Sequence, residues 1–173
     1  LIVSCSKNAP DLMDLAQSSL DQNEEDKAIK NLELLINKFP KDSLASLAQY
    51  KLVNIYKNWK HDPEMVSNAL DKTVKNYPGT IQAKQAAKEI AGFPEWIINK
   101  AETLRKRKLT KESINNLSYM VKHYPDNLLA AKAQYIIGDI YMNDLRDFEK
   151  ALAEYRVVLN VHKSSKEEAL AQF

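Results

Sequence analysis

The chain has 173 residues, of which 45% are apolar and 28% charged, with a formal net charge of +2. That is enough for one ordinary core or a stack of small repeated units. The charge is too small to demand a polyanionic partner, and no stretch approaches the roughly eighteen continuous apolar residues of a membrane span. Three glycines and six prolines, against abundant Ala, Leu, Lys and Glu, favour helices over tight-turned sheets, so the expected fold class is all-α. The single cysteine excludes an internal disulfide.

In chain order, apolar residues at three- and four-residue steps predict helices over 9–21, 25–38, 43–58, 63–76 and 80–91. A second set follows over 95–107, 111–123, 127–143, 147–160 and from 164 onward. Ala28, Leu32, Leu35 and Ile36 form one such stripe, ending before Pro40. Val66, Leu70 and Val74 form the next, then Ser113, Leu117, Met120 and Val121, and last Ala151, Tyr155, Val158 and Leu159. Gly92-Phe93-Pro94 is the best break, because glycine favours a helix end and proline a helix start. The expected organisation is a short segment over 1–8, a five-helix module over 9–92 and a second over 93–173. The second module stops inside a helical pattern at EEALAQF and reads as C-terminally truncated.

The two modules repeat one another. NKFPKD, KNYPGT and KHYPDN each put an aromatic before a proline, at Pro40, Pro78 and Pro125. The better match has an offset of 85 residues and aligns SLAQYKLVNIYKN with AKAQYIIGDIYMN. Ala48, Gln49, Tyr50, Ile55, Tyr56 and Asn58 recur there as Ala133, Gln134, Tyr135, Ile140, Tyr141 and Asn143. Upstream, Ile29, Leu32 and Pro40 recur as Ile114, Leu117 and Pro125. The unit implied is a pair of antiparallel helices.

Ile137-Gly138, Tyr141, Ala151 and Tyr155, with Leu52, Tyr56, Val66, Leu70 and Pro78, resemble the tetratricopeptide repeat. Ala16, Ala28, Leu32 and Pro40, and again Ala101, Leu117 and Pro125, carry the remaining two repeats. Val53 departs from the pattern where a glycine is expected, and Lys163 where a closing proline is expected. The resemblance covers residues 11–173 and implies a superhelix of about ten helices, an α-solenoid. More narrowly, YPDNLLAAKAQYIIGDIY and KNYPGTIQAKQAAKEI resemble the repeats of two bacterial envelope families. These are the tetratricopeptide lipoprotein of the outer-membrane barrel-assembly machinery and the Tol-Pal associated periplasmic protein.

That resemblance gives Cys5 a meaning. Ile2-Val3-Ser4-Cys5 is similar to a lipoprotein processing box, with Cys5 as the lipidated residue, Leu1 to Val3 as the tail of a signal sequence and 1–8 as a tether. It implies a protein held at the periplasmic face of the outer membrane through an N-terminal lipid only. The alternative is that Cys5 is an ordinary buried residue of a cytosolic adaptor, or of the non-catalytic part of a larger protein.

In a stack of helix pairs the first helices line the concave side. That register places Tyr50, Asn54, Lys57 and Asn58, and Tyr135, Asp139, Met142 and Asn143, toward a groove. Rings flanked by amides suit extended peptide; equally, Tyr50 and Tyr135 can pack between helices. The carboxylate clamp known in some tetratricopeptide proteins is not met, since Met13 and Gln17 stand at its places. Arg105, Lys106, Arg107, Lys108 and Lys111 form a basic run, either a patch for an acidic partner or headgroups, or a solvated helix end. Trp59 and Trp96 read as packing residues, and His61, His123 and His162 are too dispersed for a metal site. No catalytic motif is present, so the chain is expected to be no enzyme and to use no cofactor. The partners implied are other envelope proteins or extended peptide segments, with no nucleic acid and no small-molecule substrate.

Overall fold

The computed structural model describes residues 7–162 and 165–172. Cys5 and Lys163 lie outside the described residues.

The helices begin where side chains can take over orphan backbone N–H groups. α1 (Ala9–Asp21) opens on a capping box: Asn8 accepts from the Asp11 N–H at 2.8 Å, and the Asp11 carboxylate accepts from the Asn8 N–H at 3.0 Å. α2 (Glu25–Lys38) follows a turn at Asn23, and Asp42 caps α3 (Ser43–Ile55) by accepting from the Leu44 N–H. Asp62 caps α4 (Pro63–Asn76), whose proline fills a position that needs no N–H, and α5 (Ile81–Ala91) closes the series. The second series is α6 (Phe93–Lys106), α7 (Thr110–His123), α8 (Leu129–Asp139), α9 (Phe148–Val161) and α10 (Lys166–Ala171). Among the described residues there is no strand, and the fold is all-α as expected.

The chain divides into two compact units, one ending at Ala91 and one starting at Gly92. In the first unit, joints of two to four residues force successive helices antiparallel. α1, α3 and α5 form one layer and α2 and α4 the other, so α3 touches all four neighbours. Leu12, Ala16, Ala28, Leu32, Leu35, Ala48, Leu52 and Ile55 fill the space between. Each leucine there contributes about 1.5–3 kcal/mol relative to exposure, and the alanines let the helix axes close up. In the second unit α8 holds the same place, touching α6, α7, α9 and α10, over a core containing Ile97, Leu104, Leu117, Met120, Ile137 and Ile140.

The sequence repeat of 85 residues is also a structural one. Moving the bounds of α2 and α4 by 85 gives those of α7 and α9. The non-glycine residues with positive φ obey the same shift: Asn23 at 55° and Lys108 at 63°, His61 at 53° and Arg146 at 56°. A left-handed residue is costly away from glycine, so its recurrence marks a joint both units need in order to reverse direction.

Two elements differ from the sequence expectation. The helices predicted over 43–58 and 127–143 are α-helical only to Ile55 and Asp139, and each ends in a π-helical turn, Tyr56–Lys60 and Ile140–Asp144. The Tyr56 carbonyl accepts from the His61 N–H at 3.0 Å, and the Ile140 carbonyl from the Leu145 N–H at 3.0 Å. Widening the last turn satisfies these carbonyls while the chain swings round within a few residues to the next capping aspartate.

The departure at Val53 has a packing reason. A Cβ at Gly138 would lie 2.6 Å from Cε1 of Tyr155, so the glycine is required by that ring. In the first unit the equivalent of Tyr155 is Leu70, and Val53 and Leu70 are both 0% exposed, so the smaller side chain leaves room for the larger one opposite. Gly138→Val is therefore expected to destabilise the chain by about 1–3 kcal/mol through overpacking. Adding Tyr155→Leu should recover most of that loss, a coupling that a double-mutant cycle of urea unfolding measures.

Candidate functional site

In the first unit, α3 carries the polar residues that face α5. The Tyr50 hydroxyl donates to the Glu89 carboxylate, and Lys57 Nζ reaches the other carboxylate oxygen at 2.7 Å. Burial, and then the Glu89 carboxylate, raise the Tyr50 phenol well above its ordinary value, so it stays a neutral donor. Only 8% of Tyr50 is exposed, whereas Asn54 and Asn58 lie open to solvent. Of the four expected groove residues, the two asparagines are thus presented outward, and Tyr50 and Lys57 converge on Glu89 from within.

The second unit is built differently at the matching positions. Half-buried Tyr135 stacks on Tyr155 with ring centres 5.6 Å apart. Asp139 accepts from Asn143 at 2.6 Å and from Arg105 Nη1 at 2.6 Å. Arg105 also grips Asp144 with two bonds, Nε at 2.6 Å and Nη2 at 3.0 Å. Those bonds hold the Asp144 carboxyl below the usual carboxylate range. Half-buried Met142 completes the set, with Asn143 exposed.

The basic run is divided by this geometry. Arg105 is turned onto two carboxylates of its own unit, while Lys106, Arg107, Lys108 and Lys111 lie exposed at the joint between α6 and α7. Trp96 stacks on Phe93 at 5.2 Å and His123 on Tyr119 at 4.1 Å, whereas Trp59 is largely exposed.

Sequence reasoning missed a cleft on the opposite side of α3. It has a volume of about 420 Å³ and lies between α2 and α4, with Gln49, Leu52 and Tyr56 at its base. It also missed the outer side of α9, where Phe148, Leu152 and Val161 are exposed. The one trace of the cleft in the sequence is Ala69, which stands where the repeat offset of 85 residues places Glu154 in the second unit.

A family model described as outer membrane lipoprotein, YfiO, matches residues 6–163. The chain belongs to this family. No protein of curated function matches it. Among solved structures it is similar to a tetratricopeptide repeat protein from Parabacteroides merdae, with 15% identity and a TM-score of 0.37 over 95% of the chain. The chain spans 57% of the length of that protein. In this member of the outer membrane lipoprotein family, antiparallel helix pairs run through the described part of the matched span.

The Arg105 cluster has a measurable consequence. Because Asp144 is held low, its pairing contributes stability above the ordinary aspartate value of about 4 and loses it as pH falls through the folded value. Urea unfolding from pH 7 to pH 3 should therefore show a shallower acid loss in Asp144→Asn than in the wild type. Arg105→Gln, which leaves two carboxylates facing each other, should cost about 1–3 kcal/mol at pH 7.

Proposed function

We propose that the chain is a non-catalytic docking lipoprotein of the bacterial envelope, lipidated at Cys5 and held at the periplasmic face of the outer membrane. Its task on this reading is to hold extended segments of other envelope proteins during outer-membrane protein assembly or Tol-Pal related envelope maintenance. The observation that carries the reading is the match of residues 6–163 to an outer membrane lipoprotein family, with the single cysteine directly ahead of the matched span. Residues 1–8 act as the tether, and 9–92 and 93–173 as two docking modules.

The chemistry of docking is binding alone. Asn54, Asn58 and Asn143 offer a donor and an acceptor each to a peptide backbone, and Tyr135, Asp139 and Met142 flank Asn143 with ring, charge and thioether. Tyr50 and Lys57 hold Glu89 in place behind the asparagines. A cofactor, nucleic acid or small-molecule substrate has no part in this function.

Expression in a Gram-negative host, with intact mass and membrane fractionation of the full-length product beside Cys5→Ala, tests the anchor. Lipid mass on Cys5, and loss of membrane attachment in the variant, is the expected result. An unmodified product that leaves the membrane fraction in both cases would overturn the anchor and leave a cytosolic adaptor. For the docking face, Asn54→Ala with Asn58→Ala should reduce crosslinking to envelope proteins several-fold, with the melting temperature unchanged because both side chains are exposed.

A further inference from the structure

The cleft between α2 and α4 is lined by an amide side chain that its own unit does not engage. Gln49 is 4% exposed and lines the cleft, and among the described residues nothing hydrogen-bonds its side-chain amide. The amide opens to the cleft, so water or a ligand can pair with it there.

The second unit meets the same demand internally. Its equivalent residue, Gln134, donates to the Glu154 carboxylate from α9. The position equivalent to Glu154 on α4 is Ala69, which carries no polar group and also lines the cleft. One substitution between the copies therefore separates a glutamine satisfied within its own unit from one left open.

We infer that this cleft is a binding site for an extended peptide segment of a partner protein, whose backbone amide pairs with Gln49. A glutamine side chain offers N–H donors and a carbonyl acceptor side by side, the complement of a peptide group. Asn37 and Asn68 supply further amides along the walls, and Leu52, Tyr56 and Met65 give one apolar side chain of the ligand a surface to cover. Charge does not favour an anion, because Glu33 and Lys72 oppose each other across the lining. Small-molecule sites are walled mainly by apolar and aromatic groups; amides and charges make up more than half of the residues here. This site is separate from the α3 face toward α5, and it stands or falls whether or not Cys5 carries lipid.

Random dodecapeptides displayed on phage and selected on the wild-type chain provide the probe. Enriched sequences, synthesised with capped ends, are titrated by fluorescence anisotropy against wild type, Ala69→Glu and Gln49→Leu. Ala69→Glu copies the closure found in the second unit, so it should melt no lower than the wild type while weakening binding at least tenfold. Gln49→Leu removes the amide at nearly constant volume and should weaken binding similarly. In the wild type, the Gln49 side-chain amide resonance should shift on titration. Peptides that bind both variants as tightly as the wild type, a Gln49 resonance that does not move, or no enrichment on the wild type would each overturn the proposal. Should Ala69→Glu fail to fold, Gln49→Leu and the resonance decide it alone.

Discussion

Each unit is organised around one helix that packs against four others. α3 meets α1, α2, α4 and α5, and Ala45, Ser46, Ala48, Gln49, Tyr50, Leu52, Val53 and Ile55 on it are all buried. Packing on four neighbours supplies much of the unit's apolar burial, which is the main force available to a small all-α body. It also imposes a constraint, since a polar group that such a helix turns into the core must find a partner inside the unit, or the fold carries the cost. Ser46 reaches Gln82 at 3.3 Å and Tyr50 reaches Glu89, so α5 is fixed to α3 by the same residues that make α3 polar. In the second unit Gln134 reaches Glu154 by the same logic. The chemistry a partner meets is set by how far these demands are met internally.

That constraint explains which parts of the molecule were legible in its sequence. Helix bounds were legible because stripes and caps are local: α1, α2 and α4 begin and end where the apolar spacing, Pro10, Asp62 and Pro63 put them. The π-helical turns were not, because five residues give no period of their own and Tyr56 continues the apolar spacing of α3. The repeat was legible from its offset of 85 residues, but its left-handed joints were not, because Asn23 and Lys108, and His61 and Arg146, share no residue type.

Side-chain direction was harder to read on α3 and α8 than on any other helix, for the same reason. A half-buried helix has one apolar stripe, so its polar residues point outward by elimination. A helix packed on four neighbours has no single such stripe, and Gln49 and Tyr50, adjacent in sequence, face different surroundings: a cleft between α2 and α4, and Glu89 on α5. The basic run shows the complementary difficulty. Arg105 belongs to it in sequence, but its carboxylates lie 34 and 39 residues away on α8 and the turn that follows. A local count of charges has no access to pairings at that separation.

The two copies have diverged in a coordinated way. On α9, Glu154 and Tyr155 stand where α4 has Ala69 and Leu70, and both larger side chains turn onto α8, one to the amide of Gln134 and one onto the backbone of Gly138. The glycine had to accompany the tyrosine, because no Cβ fits beneath that ring. The glutamine did not have to change, because its partner arrived from the other helix. Thus the second unit fills the space beside its central helix with its own side chains, while the first keeps small ones there and retains a cleft of about 420 Å³ over an unpaired amide. The first unit leaves its amide to water or a ligand, where the second pairs the equivalent one with a carboxylate of its own. The difference between Ala69 and Glu154 is therefore the place where the repeated scaffold stops being merely repeated, because one unit closes over its glutamine and the other leaves it facing a cleft.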